Sequence, residues 1–97
     1  MNLIELMRHQ VVFDALEDEL KQFSQLQGFK YFKSETKIGF IRKMIRNLSL
    51  GSHKITNVKV TSKDKNKHII TFHSDNDRYY CIWDFAEGGY ISRSVNR

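Results

Sequence analysis

The 97-residue sequence contains no proline, five glycines and one cysteine. The lone Cys81 cannot form an internal disulfide, which is typical of proteins that work in the cytoplasm. Apolar runs are short, such as Val11-Val12-Phe13, whereas a membrane-spanning helix needs about 20 apolar residues. The first residues lack a basic segment followed by an apolar one. We therefore expect no secretory signal, and a cytoplasmic protein with no membrane partner.

Hydrophobic residues make up 40% of the chain and charged residues 28%, close to the averages of globular proteins. A chain of this length buries roughly 65% of the surface that it exposes when unfolded. That is enough for one hydrophobic core, so we expect a single small domain over residues 1–97. The lack of proline and the frequent lysine, asparagine and isoleucine are typical of a coding sequence from an AT-rich genome.

The formal net charge is +5, and it is unevenly distributed along the chain. Residues 1–27 carry five acidic and two basic side chains, whereas residues 28–97 carry six acidic and fourteen basic ones. Such an asymmetry favours either an anionic partner for the basic part or contact between the two parts. The simpler interpretation is solubility, because small domains commonly carry a net charge of this size.

Hydrophobic periodicity predicts a first helix from Leu3 to Gln25, followed by Gly28 as a stop signal. One side of that helix holds Leu6, Phe13, Leu16, Leu20 and Phe23. A second apolar stripe lies on another side of its first half and consists of Ile4, Met7 and Val11. Burial within the chain is the simpler interpretation of this stripe, and contact with a second copy of the protein is the alternative.

A second helix is predicted to begin at Ser34 and to end near Gly51. Its apolar stripe consists of Ile38, Ile41, Ile45 and Leu48, widened by Phe40 and Met44. The opposite side is basic and contains Gly39, Arg42, Lys43 and Arg46. Residues 29–33, in which aromatic side chains and lysines are interleaved, fit a short strand or an extended connector.

The C-terminal half predicts four antiparallel strands, at Ile55–Thr61, His68–His73, Arg78–Phe85 and Tyr90–Val95. The connections between them have turn chemistry and hairpin lengths. The third strand is apolar on both faces, so we place it centrally. The predicted fold class is α+β, with two N-terminal helices packed on a three- or four-stranded antiparallel β-meander. The predicted core residues are Trp83, Ile82, Phe72, Ile70, Val58, Val60, Ile41, Ile45, Leu16 and Leu20.

No pattern in the sequence predicts a cofactor, a metal site or a catalytic group. The four histidines form no pair at helical spacing, and His68 and His73 point to opposite faces of an unbroken strand. Segment 75–77, Asp-Asn-Asp, lacks the later glycine and glutamate of a calcium loop. No Gly-rich phosphate loop or nucleophile elbow is present, and Cys81 lies in the most apolar strand, where a buried inert thiol is expected. We therefore expect a protein that is not an enzyme and uses no cofactor.

Nucleic-acid binding is the function that the sequence favours most. Residues 28–73 carry eleven basic and two acidic side chains, and binding to phosphates requires clustered cations that displace counterions. The expected contacts are the basic face of the second helix, a Lys-rich hairpin tip and an exposed aromatic ring that stacks on bases. These residues are Arg42, Lys43, Arg46, Lys63, Lys65, Lys67 and Tyr31, with Phe32, Tyr79 and Tyr80 as alternative stacking rings if they are exposed. The pattern leaves open whether the partner is DNA or RNA, and whether it is single- or double-stranded.

The order of elements, two helices followed by an antiparallel meander with a basic surface, resembles that of small ribosome-dependent mRNA-cleaving toxins of the RelE type. The resemblance covers element order alone, without a matching motif residue, and implies a ribonuclease. In such an enzyme, His68 or His73 together with Arg78 or Arg93 would act as acid, base and phosphate clamp.

The third class of function is a non-enzymatic interaction protein. A small domain without a catalytic constellation, from an AT-rich source, fits a phage or plasmid product that inhibits or regulates a host enzyme. The acidic first helix would then be the contact surface, through Ile4, Met7 and Val11, or the same stripe would form a homodimer. Substitutions in the stripe and in the basic helix face distinguish this class from nucleic-acid binding.

Overall fold

The structure is a computed structural model that describes residues 2–48 and 54–97. It has two helices packed on a four-stranded antiparallel sheet, which confirms the predicted α+β class. The helices are α1 (Leu3–Ser24) and α2 (Ser34–Arg46), with a short 3₁₀ turn at Phe29–Tyr31 between them. The strands are β1 (Ile55–Ser62), β2 (Lys67–Ser74), β3 (Asp77–Asp84) and β4 (Gly89–Asn96). No helix in residues 2–48 and 54–97 is long and apolar enough to cross a membrane.

The strands form a meander in the order β1-β2-β3-β4, so β3 lies inside the sheet as predicted. Alternation along β2 and β3 separates two faces of this sheet. One face, which packs against the helices, holds the buried Ile70, Phe72, Tyr79, Cys81 and Trp83. The other face, which we call the open face, is covered by no element of the described chain. The open face therefore presents the alternate residues of every strand to solvent.

The two helices cover the sheet side by side, each with one apolar stripe. In α1 the stripe consists of Val12, Phe13, Leu16, Leu20 and Phe23, and the side chain of Asn2 caps the helix by accepting from the N–H of Glu5 at 2.8 Å. In α2 it is narrower, with Ile41 and Ile45 fully buried against the β1 side of the sheet. One connected core results, and it includes eight of the ten residues that the sequence predicts for it.

The first half of α1 departs from the prediction. Its second apolar stripe is not buried: Ile4, Met7 and Val11 are 78%, 60% and 62% exposed. Leu6, predicted to face the core, is also exposed. The physical reason is that polar side chains occupy the side of this half that faces the sheet, where His9 is buried and hydrogen-bonds to Asp77. The apolar residues around them are left in solvent.

Two of the predicted core residues are only half-buried. Ile82 is half-buried on the open face, because it pairs with Ile69 and Ser92 and alternates with the buried Cys81. Val58 is also only half-buried, because β1 is an edge strand whose pairing is interrupted by a bulge between Thr56 and Lys59.

The boundaries of the connecting segments also differ. Residues 29–33 form no strand; Gly28 adopts a left-handed φ of 77° and leads into the 3₁₀ turn. The second helix ends at Arg46, earlier than predicted, and Leu48 is half-buried outside it. The predicted stop at Gly51 lies outside the described residues.

Candidate nucleic-acid interface

The basic face of α2 is exposed and forms a shallow concavity. Arg42, Lys43 and Arg46 line it together with Gly39 and Asn47, around a volume of about 500 Å³. An added Cβ at Gly39 would meet no atom within 4 Å, so the helix backbone is open to solvent between the cations. No carboxylate in residues 2–48 and 54–97 lies within ion-pair distance of these three side chains. Their charge is therefore available to an anionic partner.

The Lys-rich tip between β1 and β2 is held in one conformation by an aspartate. The carboxylate of Asp64 accepts from the main-chain N–H groups of Asn66 and Lys67, both at 2.9 Å. These backbone hydrogen bonds lower the pKa of Asp64 below its usual value. Because Lys67 Nζ also lies 3.2 Å from Asp64, its charge is partly neutralised. Lys63 and Lys65 are exposed and carry most of the positive charge of this tip.

A buried lysine joins the tip to the start of α2. Lys37 is only 2% exposed, and its Nζ donates to the main-chain carbonyl of Lys65 at 3.3 Å. The ammonium group lies 4.7 Å from the ring centroid of Phe29 and 5.8 Å from that of Phe85, at cation–π distances. Burial lowers its pKa. Two basic regions that are distant in sequence thus meet at one edge of the molecule.

Tyr31 lies apart from these cations. Its ring is 78% exposed in the 3₁₀ turn, and Lys30 Nζ lies 5.1 Å from the ring centroid. Within the described chain, no hydrogen bond or ring contact connects Tyr31 to Arg42, Lys43 or Arg46. The ring is accessible for stacking, next to a lysine.

The open face of the sheet contains a second concavity, which the sequence reasoning missed. Two neighbouring rows of cross-strand residues line it. The first row is Lys59, Thr71, Tyr80 and Ser94, and the second is His73, Arg78 and Asn96. Together with Asn57 they enclose about 490 Å³. We call this concavity the open-face pocket.

Asn57 shapes the open-face pocket at the bulge of β1. It adopts a left-handed φ of 54°, which asparagine tolerates better than most residues. Its side-chain Nδ2 donates to Nδ1 of His73 at 3.1 Å. Nδ1 therefore accepts, and the proton of the neutral imidazole is on Nε2. The bulge thus fixes the orientation of a histidine that neighbours Arg78 across the strands.

The lining of the open-face pocket is cationic or neutral. Lys59 and Arg78 supply positive charge, Tyr80 supplies an aromatic surface, and no lining residue carries a carboxylate. Part of this arrangement can be predicted from the sequence. In β2 and β3 the apolar core residues alternate with a second set that shares the opposite face, and this set includes Thr71, His73, Arg78 and Tyr80. The bulge that adds Asn57 breaks the period of two, and no sequence signal marks it.

The four candidate residues of the ribonuclease hypothesis lie on two faces of the sheet, with His68 and Arg93 on the helix side and His73 and Arg78 together on the open face. His68 is fully buried on the helix face, and neither ring nitrogen has a hydrogen-bond partner among the described residues. The guanidinium of Arg93 lies 5.3 Å from the ring centroid of Phe13, also on the helix side. Of the four candidates, His73 and Arg78 are neighbours on the open face.

The described residues place neither the cysteine nor a cluster of metal-ligating side chains on this surface. Cys81 is fully buried, and burial raises the pKa of its thiol to about 12, so it is an inert core residue. No group of three or more potential metal-ligating side chains exists in the described part of the chain.

Comparisons of the chain with protein-family models, with curated proteins and with solved structures find no significant match. We therefore infer a function from the geometry and charge of this chain alone.

Proposed function

We propose that the protein is a small nucleic-acid-binding protein without catalytic activity. Arg42, Lys43 and Arg46 on α2 contact phosphates, and the Lys-rich tip with Lys63, Lys65 and Lys67 extends the contact along the same edge of the molecule. Tyr31 adds an exposed ring for stacking. The buried, unpaired thiol of Cys81 is in keeping with a reducing, cytoplasmic location.

The observation that carries this proposal is the exposed concavity of α2, where Arg42, Lys43 and Arg46 cluster with no carboxylate of the described residues within ion-pair distance. The contact between Lys37 and the carbonyl of Lys65 holds the Lys-rich tip against the start of the same helix. Phosphate binding depends on such clustering, because each neutralised phosphate releases a condensed counterion. Arg42 and Arg46 are one helical turn apart, and each guanidinium can donate two parallel hydrogen bonds to a phosphate.

Fluorescence anisotropy tests the proposal with labelled single- and double-stranded DNA and RNA at about 50 and 200 mM salt. Six phosphate contacts predict that affinity for duplex DNA falls by roughly 10³-fold across this range. The triple variant Arg42→Gln/Lys43→Gln/Arg46→Gln should bind more weakly and reduce the salt slope by about 3. Gel analysis of the same strands checks that they remain intact.

A matched control removes three positive charges elsewhere, by Lys21→Gln/Arg93→Gln/Arg97→Gln. These side chains are exposed and lie on α1, on β4 and just after β4, whereas α2 packs against β1 at the other edge of the sheet. We expect this variant to keep the affinity and salt slope of the wild type. Equal losses in both variants would mean that net charge alone drives binding, and absence of binding at low salt would refute the proposal. Cleavage of the strands would refute its non-catalytic part.

A protein-binding regulator is the second candidate, because α1 exposes Ile4, Met7 and Val11 in one stripe. Large exposed apolar patches are unusual on monomers and mark interaction sites. A second copy of the chain is the first partner to test. Analytical ultracentrifugation of the wild type and of an Ile4→Gln/Met7→Gln/Val11→Gln variant measures it, with a dimer expected for the wild type only. A monomeric wild type leaves a different protein, such as a host enzyme, as the partner of this candidate.

A further inference from the structure

We propose that the open-face pocket is a second binding site, which accommodates one unpaired nucleotide of a single-stranded nucleic acid. Its base stacks on Tyr80, and its phosphate contacts Arg78 or Lys59. The site is on the opposite face of the sheet from α2. It deepens the proposed function by specifying single strands, yet it depends on none of the α2 cations.

The size of the concavity fits a ligand of this kind. Its volume of about 490 Å³ is within the range of small-molecule sites, roughly 300–1,000 Å³. A base can enter it only when unpaired, because paired bases in a duplex present their edges and not their ring faces. An unpaired base has a free face for stacking on an aromatic side chain.

The positive charge of the pocket lining favours an anionic occupant over a neutral one. Lys59 and Arg78 line the pocket, and no carboxylate in residues 2–48 and 54–97 is within ion-pair distance of either. Five of the eleven acidic side chains are instead on α1, across the sheet. The planar guanidinium of Arg78 can donate two hydrogen bonds to one phosphate.

The spacing of the two rows matches the two ends of a nucleotide. Tyr80 and Arg78 are two residues apart on β3, and therefore about 6.7 Å apart along one face. This is close to the separation between a nucleobase and its own phosphate. Lys59 is in the same row as Tyr80, on the far side of Thr71, and reaches a neighbouring phosphate of the strand.

Fixed polar groups surround the stacking surface. Asn57 holds the imidazole of His73 with Nε2 as the donor, and Asn96 pairs with Arg78 across β3 and β4. Ser94 faces Tyr80 in the neighbouring row. These donors and acceptors can contact the edge of a base or a sugar hydroxyl without adding negative charge.

NMR titration of the ¹⁵N-labelled protein tests the inference with four probes: the RNA pentanucleotide U₅, the DNA pentanucleotide dT₅, adenosine monophosphate and inorganic phosphate. We expect saturable shifts of the amide signals of Thr71, Arg78, Tyr80 and Ser94 with the two pentanucleotides, and weaker ones with the monophosphate. Phosphate alone should not reproduce them. Equal effects of phosphate and pentanucleotides would overturn the nucleotide assignment and leave a simple anion site.

Variants separate stacking from charge. Tyr80→Leu keeps an apolar side chain in the sheet and should weaken U₅ binding about fivefold or more, because it removes the stacking surface. Arg78→Gln should also weaken binding, and Ser92→Ala, on the same face but outside the pocket, should not. Thermal unfolding verifies that each variant is folded. Unchanged affinity in a folded Tyr80→Leu would overturn the inference.

The α2 triple variant makes the two proposals distinguishable. It should retain the U₅-induced shifts in the open-face pocket while losing salt-dependent binding to duplex DNA. If the α2 triple variant binds every DNA and RNA strand as the wild type does while the pocket signals shift, the proposed α2 interface fails and this inference stands. If only the amide signals of α2 and the Lys-rich tip shift, this inference fails and the proposed function stands.

Discussion

Arg8, in the second turn of α1, donates to the carboxylate of Asp77 at the start of β3 at a distance of 2.5 Å, across 69 positions of sequence. His9 contacts the same oxygen at 3.0 Å. Asp77 is almost completely buried. Burial by itself raises its pKa, but the hydrogen bonds from His9 and Arg8 outweigh burial and lower the pKa below the usual range. This cluster fixes the beginning of α1 to the sheet with polar rather than apolar contacts.

Asp77→Asn should reduce the free energy of unfolding by about 2 kcal/mol at pH 7, because it removes the negative charge of the acceptor that Arg8 and His9 share. The lowered pKa means that the stabilisation is present above the unfolded-state value, about 3.9, and is lost as pH falls through the folded-state value. The variant should therefore lose less stability in acid than the wild type. Urea unfolding followed by the fluorescence of the buried Trp83 measures both effects. Asp18→Asn, on the exposed side of α1, is the control, and an equal loss there would contradict this account.

His68→Leu tests the buried imidazole. Its ring nitrogens make no hydrogen bond of ordinary geometry among the described residues. Burial, followed by the charge of Lys37, lowers its pKa, although the main chain of Asn66 favours the charged form. The unfolded chain takes up a proton below about pH 6.5 that the folded protein excludes, so wild-type stability falls as the pH drops through about 6.5. The variant should show a flatter pH dependence and should gain about 1 kcal/mol, because unpaired polar atoms leave the core.

Denaturant unfolding at several pH values measures this effect. Ile69→Leu, on the open face of the same strand, serves as the control and should keep the wild-type pH dependence. A steep pH dependence that persists in His68→Leu would contradict the assignment to this residue.

The exposed stripe of α1 should contribute little to the stability of the isolated chain. Each of Ile4→Gln, Met7→Gln and Val11→Gln should change the free energy of unfolding by less than about 0.5 kcal/mol. Leu16→Ala, in the buried stripe on another side of α1, should lower the free energy of unfolding by about 2–5 kcal/mol. The comparison is made by thermal unfolding at two protein concentrations. Losses in the stripe variants that grow with concentration would instead indicate that a second copy covers the stripe.

Substitutions of Asn57 should separate backbone strain from the contact with His73. Asn57→Gly accepts the left-handed φ and should leave stability nearly unchanged, whereas Asn57→Val should cost about 1–2 kcal/mol. Both variants remove the donor to Nδ1 of His73, so the imidazole should lose its fixed orientation in each. NOEs of the imidazole protons report that orientation. An unchanged NOE pattern in both variants would show that another group orients the ring.

Local patterns were sufficient for the helices and strands. Apolar spacing located α1 to within one residue and the start of α2 at Ser34, and the alternation in β3 identified Tyr79, Cys81 and Trp83 as one face. The basic face of α2 was also predictable, because Gly39, Arg42, Lys43 and Arg46 share one arc of any helix. These features depend on residues that are close in sequence.

The elements, their order and the clustering of positive charge after residue 28 follow from local patterns in the chain. Three features depend on long-range contacts instead: which face of the sheet stays open, which stripe of α1 is buried, and the contact by which Lys37 joins α2 to the Lys-rich tip. The open-face pocket depends on them too, since a single bulge places Asn57 beside His73. This is because hydrophobic periodicity, of 2 residues in a strand or 3.6 residues in a helix, separates the two sides of an element but does not show which side faces the core. The choice between those sides is made by long-range packing and pairing, whose partners are distant in the chain.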